Sequence, residues 1–298
     1  MLRLIKKLMN RSDQTSSKFA INSTLLGDPN TLAWSNLGFW QAKSSESDNH
    51  APINYITACE NLAHVVGDAA HLHNTDHVLD LGCGQGASLH YWHTAFGVQH
   101  ITAFEIQSTC IANIQQAALK PLDAIYQASF SQLPLPAAQL YHAFDAVLCV
   151  DAAYHASLND FLAVNQAALT PQGRMAFTCL IRPANSKKSG FLLGQLKKYF
   201  NKPMFELTSV PQQHLYTEQD LIQLLSSFDF IDIQIKHLDQ PVLAGFAQYI
   251  QQQPPAFSTG HMAAWLKITI TAKLCRFLYQ HQLLHYSVVS ATYMPSGI

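Results

Sequence analysis

One stretch, His77-Val78-Leu79-Asp80-Leu81-Gly82-Cys83-Gly84-Gln85-Gly86, narrows what this 298-residue chain can fold into more than any other. A short apolar run ends in an acid and a glycine-rich turn, and Ala87-Ser88-Leu89-His90-Tyr91-Trp92 then reads as the start of a helix. Closely spaced glycines after a strand let the backbone bend sharply and leave no Cβ between it and a bulky ligand. The helix N-terminus that follows adds N–H donors without partners. Strand, turn and helix together make a nucleotide-type binding turn. Gly82, Gly84 and Ala87 also satisfy the dinucleotide fingerprint, so the glycines alone do not choose among nucleotide cofactors.

The chain around this turn alternates strand and helix. Strands are expected at residues 78–81, 100–104, 124–127, 144–150 and 174–180, with helices at 86–96, 108–119 and 158–168 between them. A further helix precedes them at about 52–69. Thr170-Pro171-Gln172-Gly173 reads as the turn into the fifth strand. Thr217, with Asp220 three residues on, reads as a helix N-cap, and 230–235 and 286–291 read as two last strands around a long helix near 260–282. Such alternation predicts a doubly wound, mostly parallel sheet of seven strands with helices on both faces, its ligand at the carboxyl ends of the strands. Asp80, Glu105, Ser129 and Asp151 all fall on that edge. Glu105 ends the run Ile101-Thr102-Ala103-Phe104, about 20 residues past the turn, where an acid accepts both hydroxyls of a ribose.

Asp80-Leu81-Gly82-Cys83-Gly84-Gln85-Gly86 resembles motif I of the class I S-adenosylmethionine (SAM)-dependent methyltransferases. The resemblance implies SAM as cofactor, with the acid holding its methionine part through the turn backbone. It also implies that Asp80 and Glu105 face one cavity. Asn36-Leu37-Gly38-Phe39-Trp40 is similar to a segment that precedes this motif in many small-molecule members, where the aromatics cover the pocket; Phe39 and Trp40 equally suit a core plug. Where the family often carries an acid for the adenine amine after the third strand, this chain has Ala128-Ser129-Phe130. The expected cofactor set is Asp80, Gly82, Cys83, Gly84, Gly86, Glu105, Ile106, Ser129, Phe130 and Val150, with Tyr55 and Trp40 as outer contacts. After the fourth strand, Asp151-Ala152-Ala153-Tyr154-His155 looks like the branch that methylates sterols, quinones, tocopherols and natural products. His155 is then the expected general base, since an imidazole titrates near neutrality, and Asp151, one helical turn earlier, its orienting partner.

The implied activity is methyl transfer to a small, partly apolar acceptor, O-methylation ahead of N or C. A nicotinamide-dependent oxidoreductase and a non-catalytic SAM-binding partner subunit are the alternatives. Residues 1–50 are read as an N-terminal arm and cap, 51–240 as the cofactor-binding core, and 241–298 as a helical lid insertion with the last core strand. The insertions at 181–216 and 241–282 suit either substrate enclosure or a homodimer contact. With 18 Lys+Arg against 19 Asp+Glu there is no basic excess for gripping phosphates, which argues against nucleic acid. Six cysteines without a C-x-x-C pair read as reduced thiols of a cytoplasmic protein. Residues 2–11 form a short basic amphipathic pattern, either a packed terminal helix or a peripheral membrane contact, with no apolar core of secretory length. No segment is long enough to span a bilayer. His71, His73 and His77 read as a surface loop and not as a metal site. Lys187-Lys188 and Lys197-Lys198 read as a solvated face.

Overall fold

The computed structural model describes residues 21–41, 53–129, 138–184, 215–254 and 261–295. Strands β1 (His77–Leu81), β2 (His100–Glu105), β3 (Leu122–Gln127), β4 (Phe144–Cys149) and β5 (Leu169–Arg182) alternate with helices α2 (Ala87–Phe96), α3 (Ser108–Ala117) and α4 (Leu158–Ala168). Helix α1 (Tyr55–Ala69) precedes them. After β5 come the short β6 (Tyr216–Thr217), α5 (Glu218–Ser227) and β7 (Phe230–His237), then a π-helical turn (Gln240–Ala244), α6 (Gly245–Gln252), α7 (Met262–Gln280) and β8 (His285–Tyr293). The sheet runs β3-β2-β1-β4-β5-β8-β7, with β1 to β5 parallel and β8 antiparallel to both β5 and β7. This is the doubly wound class I arrangement. It gains an eighth strand that the sequence does not signal, since β6 is two residues long and pairs only with the far end of β5.

Each parallel strand feeds both faces of the sheet, as its near-continuous apolar run demands. Val78, Ala146 and Leu148 pack into a core with α1, α2, α6 and α7, while Leu79, Leu81, Val147 and Cys149 pack against α4 and α5. Helix ends follow their local chemistry. The Asn54 side chain accepts from Thr57 N at the start of α1, and Thr217 and Asp220 complete a reciprocal capping box at α5. The turn expected at residues 170–173 is absorbed into β5 as an irregularity, where pairing jumps from Phe144↔Leu169 to Ala146↔Arg174. Pro171 has no donor for the ladder and Gln172 takes a left-handed φ of 67°, so the strand bulges there and then resumes.

The described part of the N-terminal arm, residues 21–41, is packed against the body. Ile21, Leu26 and Trp34 are buried, and the buried Asp28 carboxylate accepts from the Asn30 and Trp34 amides, which folds the segment onto the body. The patterns noted at residues 2–11, at Lys187-Lys188 and at Lys197-Lys198 lie outside the described residues. His71, His73 and His77 are exposed.

Candidate active site

The site forms where β1, β2 and β4 end side by side. After Leu81 the chain turns through Gly82 (φ 79°), Gly84 (φ 57°) and Gly86 (φ 89°), a left-handed path that glycine adopts without strain. Gly82 N donates to Phe104 O at 2.8 Å, so the turn is held against the tip of β2. Glu105 completes the hold with its side chain. Its Oε2 accepts from Gly84 N and its Oε1 from Gln107 N, both at 2.8 Å. One carboxylate thus ties the glycine turn to the loop beyond β2, and it is buried except where it reaches the cleft.

That cleft, about 170 Å³, is lined on one side by Gly82, Gly84 and Glu105 and on another by Ile106, Cys110, Ala128 and Ser129. Val150, Asp151 and His155 close the end nearest β4. Ile106 is 56% exposed and lines the cleft, so it offers an apolar shelf on which a flat ligand could lie. A Cβ built on Gly84 would meet only Ser35 Oγ, at 3.4 Å, so this glycine opens directly onto the cavity. A carboxylate for a vicinal diol, an apolar shelf for a base and a side-chain-free turn for the remainder fit a nucleoside cofactor of the SAM kind. Phe130 lies outside the described residues.

Five expected contacts sit elsewhere. Asp80 does not share the cleft with Glu105. It lies one layer beneath the turn, 2% exposed, where its Oδ2 accepts from Ser88 Oγ and Trp92 Nε1, each at 2.7 Å. It binds β1 to α2 from beneath the turn, so its expected place in a cavity shared with Glu105 is corrected. Burial pushes this carboxyl up to about 6, against the pull of its two donors. Cys83 points into the core, and burial raises its thiol well above the ordinary range. Gly86 faces α3, where a Cβ would strike Ile114 Cγ1 at 2.8 Å. Tyr55 is fully buried and donates to Asn36 O. Trp40 turns toward the helical insertion, its ring stacked on Tyr249 at 4.2 Å and its Cβ against Gly245.

Asp151 also differs from expectation. It is not a helical turn before His155; it takes φ 55° at the end of β4, and a short 3-10 turn, Ala153–His155, carries the imidazole to the cleft. Its Oδ1 accepts from Tyr154 OH (3.0 Å) and Tyr286 OH (2.6 Å), and its Oδ2 from Leu37 N (2.8 Å). Asp151 is therefore the junction of the Asn36–Trp40 segment, an N-terminal strap, with the β4 loop and β8. Burial raises its carboxyl while Tyr286, Leu37, Tyr154 and the charge of His155 lower it. Sequence reasoning missed Ser35, Leu37 and Tyr286. Ser35 immediately precedes the noted Asn36–Trp40 segment and Leu37 lies within it without a role having been read for it, whereas Tyr286 is brought in from the opposite end of the chain and leaves no local signal.

Fold and cleft together define a doubly wound α/β protein built around a nucleoside site. Residues 78–173 match the family described as "Methyltransferase domain". That stretch, from β1 through the start of β5, is similar to the family, and the chain shares the class I fold. A comparison with curated proteins returns no match. Among solved structures, the cyclopropane synthase MmaA2 from Mycobacterium tuberculosis superposes with a TM-score of 0.69 at 15% identity, covering 93% of this chain and 94% of that one. Geranyl diphosphate C-methyltransferase from Streptomyces coelicolor A3(2), crystallised with Mg2+, geranyl-S-thiolodiphosphate and S-adenosyl-L-homocysteine, gives 0.65 at 12% identity over 97% and 98%. Haemonchus contortus phosphoethanolamine N-methyltransferase 2 with S-adenosyl-L-methionine gives 0.62 at 13% identity over 80% of this chain and 53% of that one. At such identities the likeness speaks for the fold.

Proposed function

We propose that the chain is a SAM-dependent methyltransferase acting on a small, partly apolar acceptor. The observation that carries the reading is the single cleft in which the Gly84 turn, the Glu105 carboxylate and the exposed Ile106 meet. Glu105 would hold the ribose hydroxyls, Ile106 and Ser129 the adenine, and Gly82 and Gly84 the methionine part. When bound, the cofactor supplies a methyl group already made electrophilic by its sulfonium. The protein's share is alignment and exclusion of water. His155, at the β4 end of the cleft, takes the proton that an acceptor hydroxyl gives up as its oxygen gains the methyl group. Asp151, fixed by three donors, sets where that end of the cleft lies. An acceptor hydroxyl is the form for which this base is proposed, although a protonated amine would also have to give up a proton. The named neighbours carry C- and N-methylation and cyclopropane synthesis, so the acceptor atom belongs to the proposal alone.

The same proposal places the protein in the cytoplasm. All six cysteines are free and buried, and among the described residues no helix is long and apolar enough to cross a membrane. Titration calorimetry with SAM and S-adenosylhomocysteine tests the reading, and absence of micromolar binding to both ends it. Mass spectrometry of the protein with labelled SAM and cell extract then looks for a methylated product. His155→Ala should lose at least tenfold in turnover with SAM affinity retained; full turnover removes the base.

A further inference from the structure

From residue 240 to residue 298 the sequence contains no Asp or Glu, while Lys267, Lys273 and Arg276 are permanent cations. The acid excess of the chain lies entirely before this segment. All three cations are on α7, so the charge asymmetry has a definite place in the fold.

Helix α7 turns two of its three cations and its surplus apolar surface in one direction, while Lys267 is half-buried on another side. Ile268, Ala272, Leu274, Cys275 and Leu278 are buried against the body. At helical spacing on the opposite side stand Met262, Leu266, Lys273 and Arg276, all exposed. Met262 is 50% and Leu266 37% exposed, and half-buried Trp265 and Ile270 flank them. The outward stripe is thus apolar over its first turns and basic over its last, with α6 beside it adding no charged residue. Apolar side chains entering the acyl boundary beside cations at the level of the head groups are the pattern of a helix lying on a bilayer.

We infer that the outer face of α7 is a docking surface for an anionic lipid bilayer. Charge decides between this occupant and a second copy of the chain. A two-fold contact through this stripe would bring Lys273 and Arg276 toward their own copies, with no carboxylate from residue 240 onward to pair them. Phosphate head groups supply the missing negative charge, at about 1 kcal/mol for each basic residue near the surface, so removing two cations should weaken partition about thirtyfold. The inference goes beyond the proposed function and touches it in one respect: docking would bring the insertion expected to enclose a partly apolar acceptor against a medium in which such an acceptor dissolves.

The test is co-sedimentation of the full chain with vesicles of phosphatidylcholine, alone or mixed with phosphatidylglycerol. Binding to the mixed vesicles only, weakened by salt, lost in Met262→Asp/Leu266→Asp and reduced about thirtyfold in Lys273→Gln/Arg276→Gln, supports the surface. SAM affinity, measured on every variant, should stay unchanged, since none of these side chains reaches the cleft. Three results overturn it: no partition, equal partition into neutral vesicles, or a concentration-dependent dimer in sedimentation velocity that Met262→Asp/Leu266→Asp dissociates. Vesicle binding by a protein that fails to bind SAM would sink the methyltransferase reading and leave the surface standing.

Discussion

Asp80→Asn should make the free protein more stable at neutral pH, although it removes the acid that marks the motif. The wild-type carboxyl, held almost without water beneath the glycine turn, titrates near 6 against an ordinary 3.8. That difference corresponds to about 3 kcal/mol lost when the buried group ionises. The folded-state pKa is raised, so between about pH 4 and 6 the native state binds more protons than the unfolded one. Asp80's contribution is therefore fully present below pH 4 and is lost as pH rises through about 6. An asparagine oxygen in the place of Oδ2 still accepts from Ser88 Oγ and Trp92 Nε1 without carrying charge. Its new amide hydrogens need an acceptor, which returns about 1–2 kcal/mol of the gain. The net expectation is about 1–2 kcal/mol of added stability at pH 7.5, shrinking to nothing or reversing near pH 4. Urea unfolding of both proteins across this range measures it, with equal m-values required for the comparison, and the difference curve isolates Asp80 from other carboxyls. A variant less stable than wild type by the same amount at both ends would refute the argument, because the carboxylate would then carry no burial cost. SAM, which carries positive charge, should stabilise wild type more than Asp80→Asn.

Glu105→Gln leaves a backbone donor of Gly84 or Gln107 facing an amide N–H. It should weaken SAM binding by about 2–3 kcal/mol, a factor of tens to about a hundred in Kd by calorimetry; an affinity within threefold of wild type would make Glu105 a turn brace only. Gly86→Ala adds a Cβ that meets Ile114 at 2.8 Å, at a φ of 89°. It should cost about 2–4 kcal/mol, read as a lowered midpoint in denaturant. Gly245→Ala places a Cβ 2.5 Å from Trp40 Cβ. It should push the strap off the insertion, cost about 1–3 kcal/mol in denaturant unfolding, and change the tryptophan fluorescence of the folded protein as Trp40 leaves Tyr249.

What the sequence carried well is whatever depends on neighbours along the chain. The turn after β1, the capping box at Thr217 and the periodicity of α1 and α7 are local, and each forms where the pattern places it. Strand order followed because alternation allows few windings. The errors concern direction, not location. Asp80 sits two residues from a cleft-lining glycine yet points the other way, because alternation along β1 sends its side chain to the α2 face, where Trp92 and Ser88 wait. Cys83 and Gly86 are in the motif because the core and Ile114 need them there.

The strap shows the other kind of blindness. Asn36-Leu37-Gly38-Phe39-Trp40 invited a choice between pocket cover and core plug, and its hydrogen bonds make it neither alone. Phe39 N donates to Ala58 O, Trp40 N to Pro241 O, and Leu37 N to Asp151, so one extended segment is stitched to α1, to the π-helical turn before α6 and to the β4 loop. Ser35, next to this segment, reaches Gly84 at the cofactor cleft, while Trp40 at its far end stacks on the insertion. No local pattern reports such a role, because its partners lie up to more than 200 positions away in the sequence. The consequence is physical. In the proposed enzyme, a movement of the insertion that admitted an acceptor would pull on Trp40, and through Leu37 and Asp151 on the loop that carries His155.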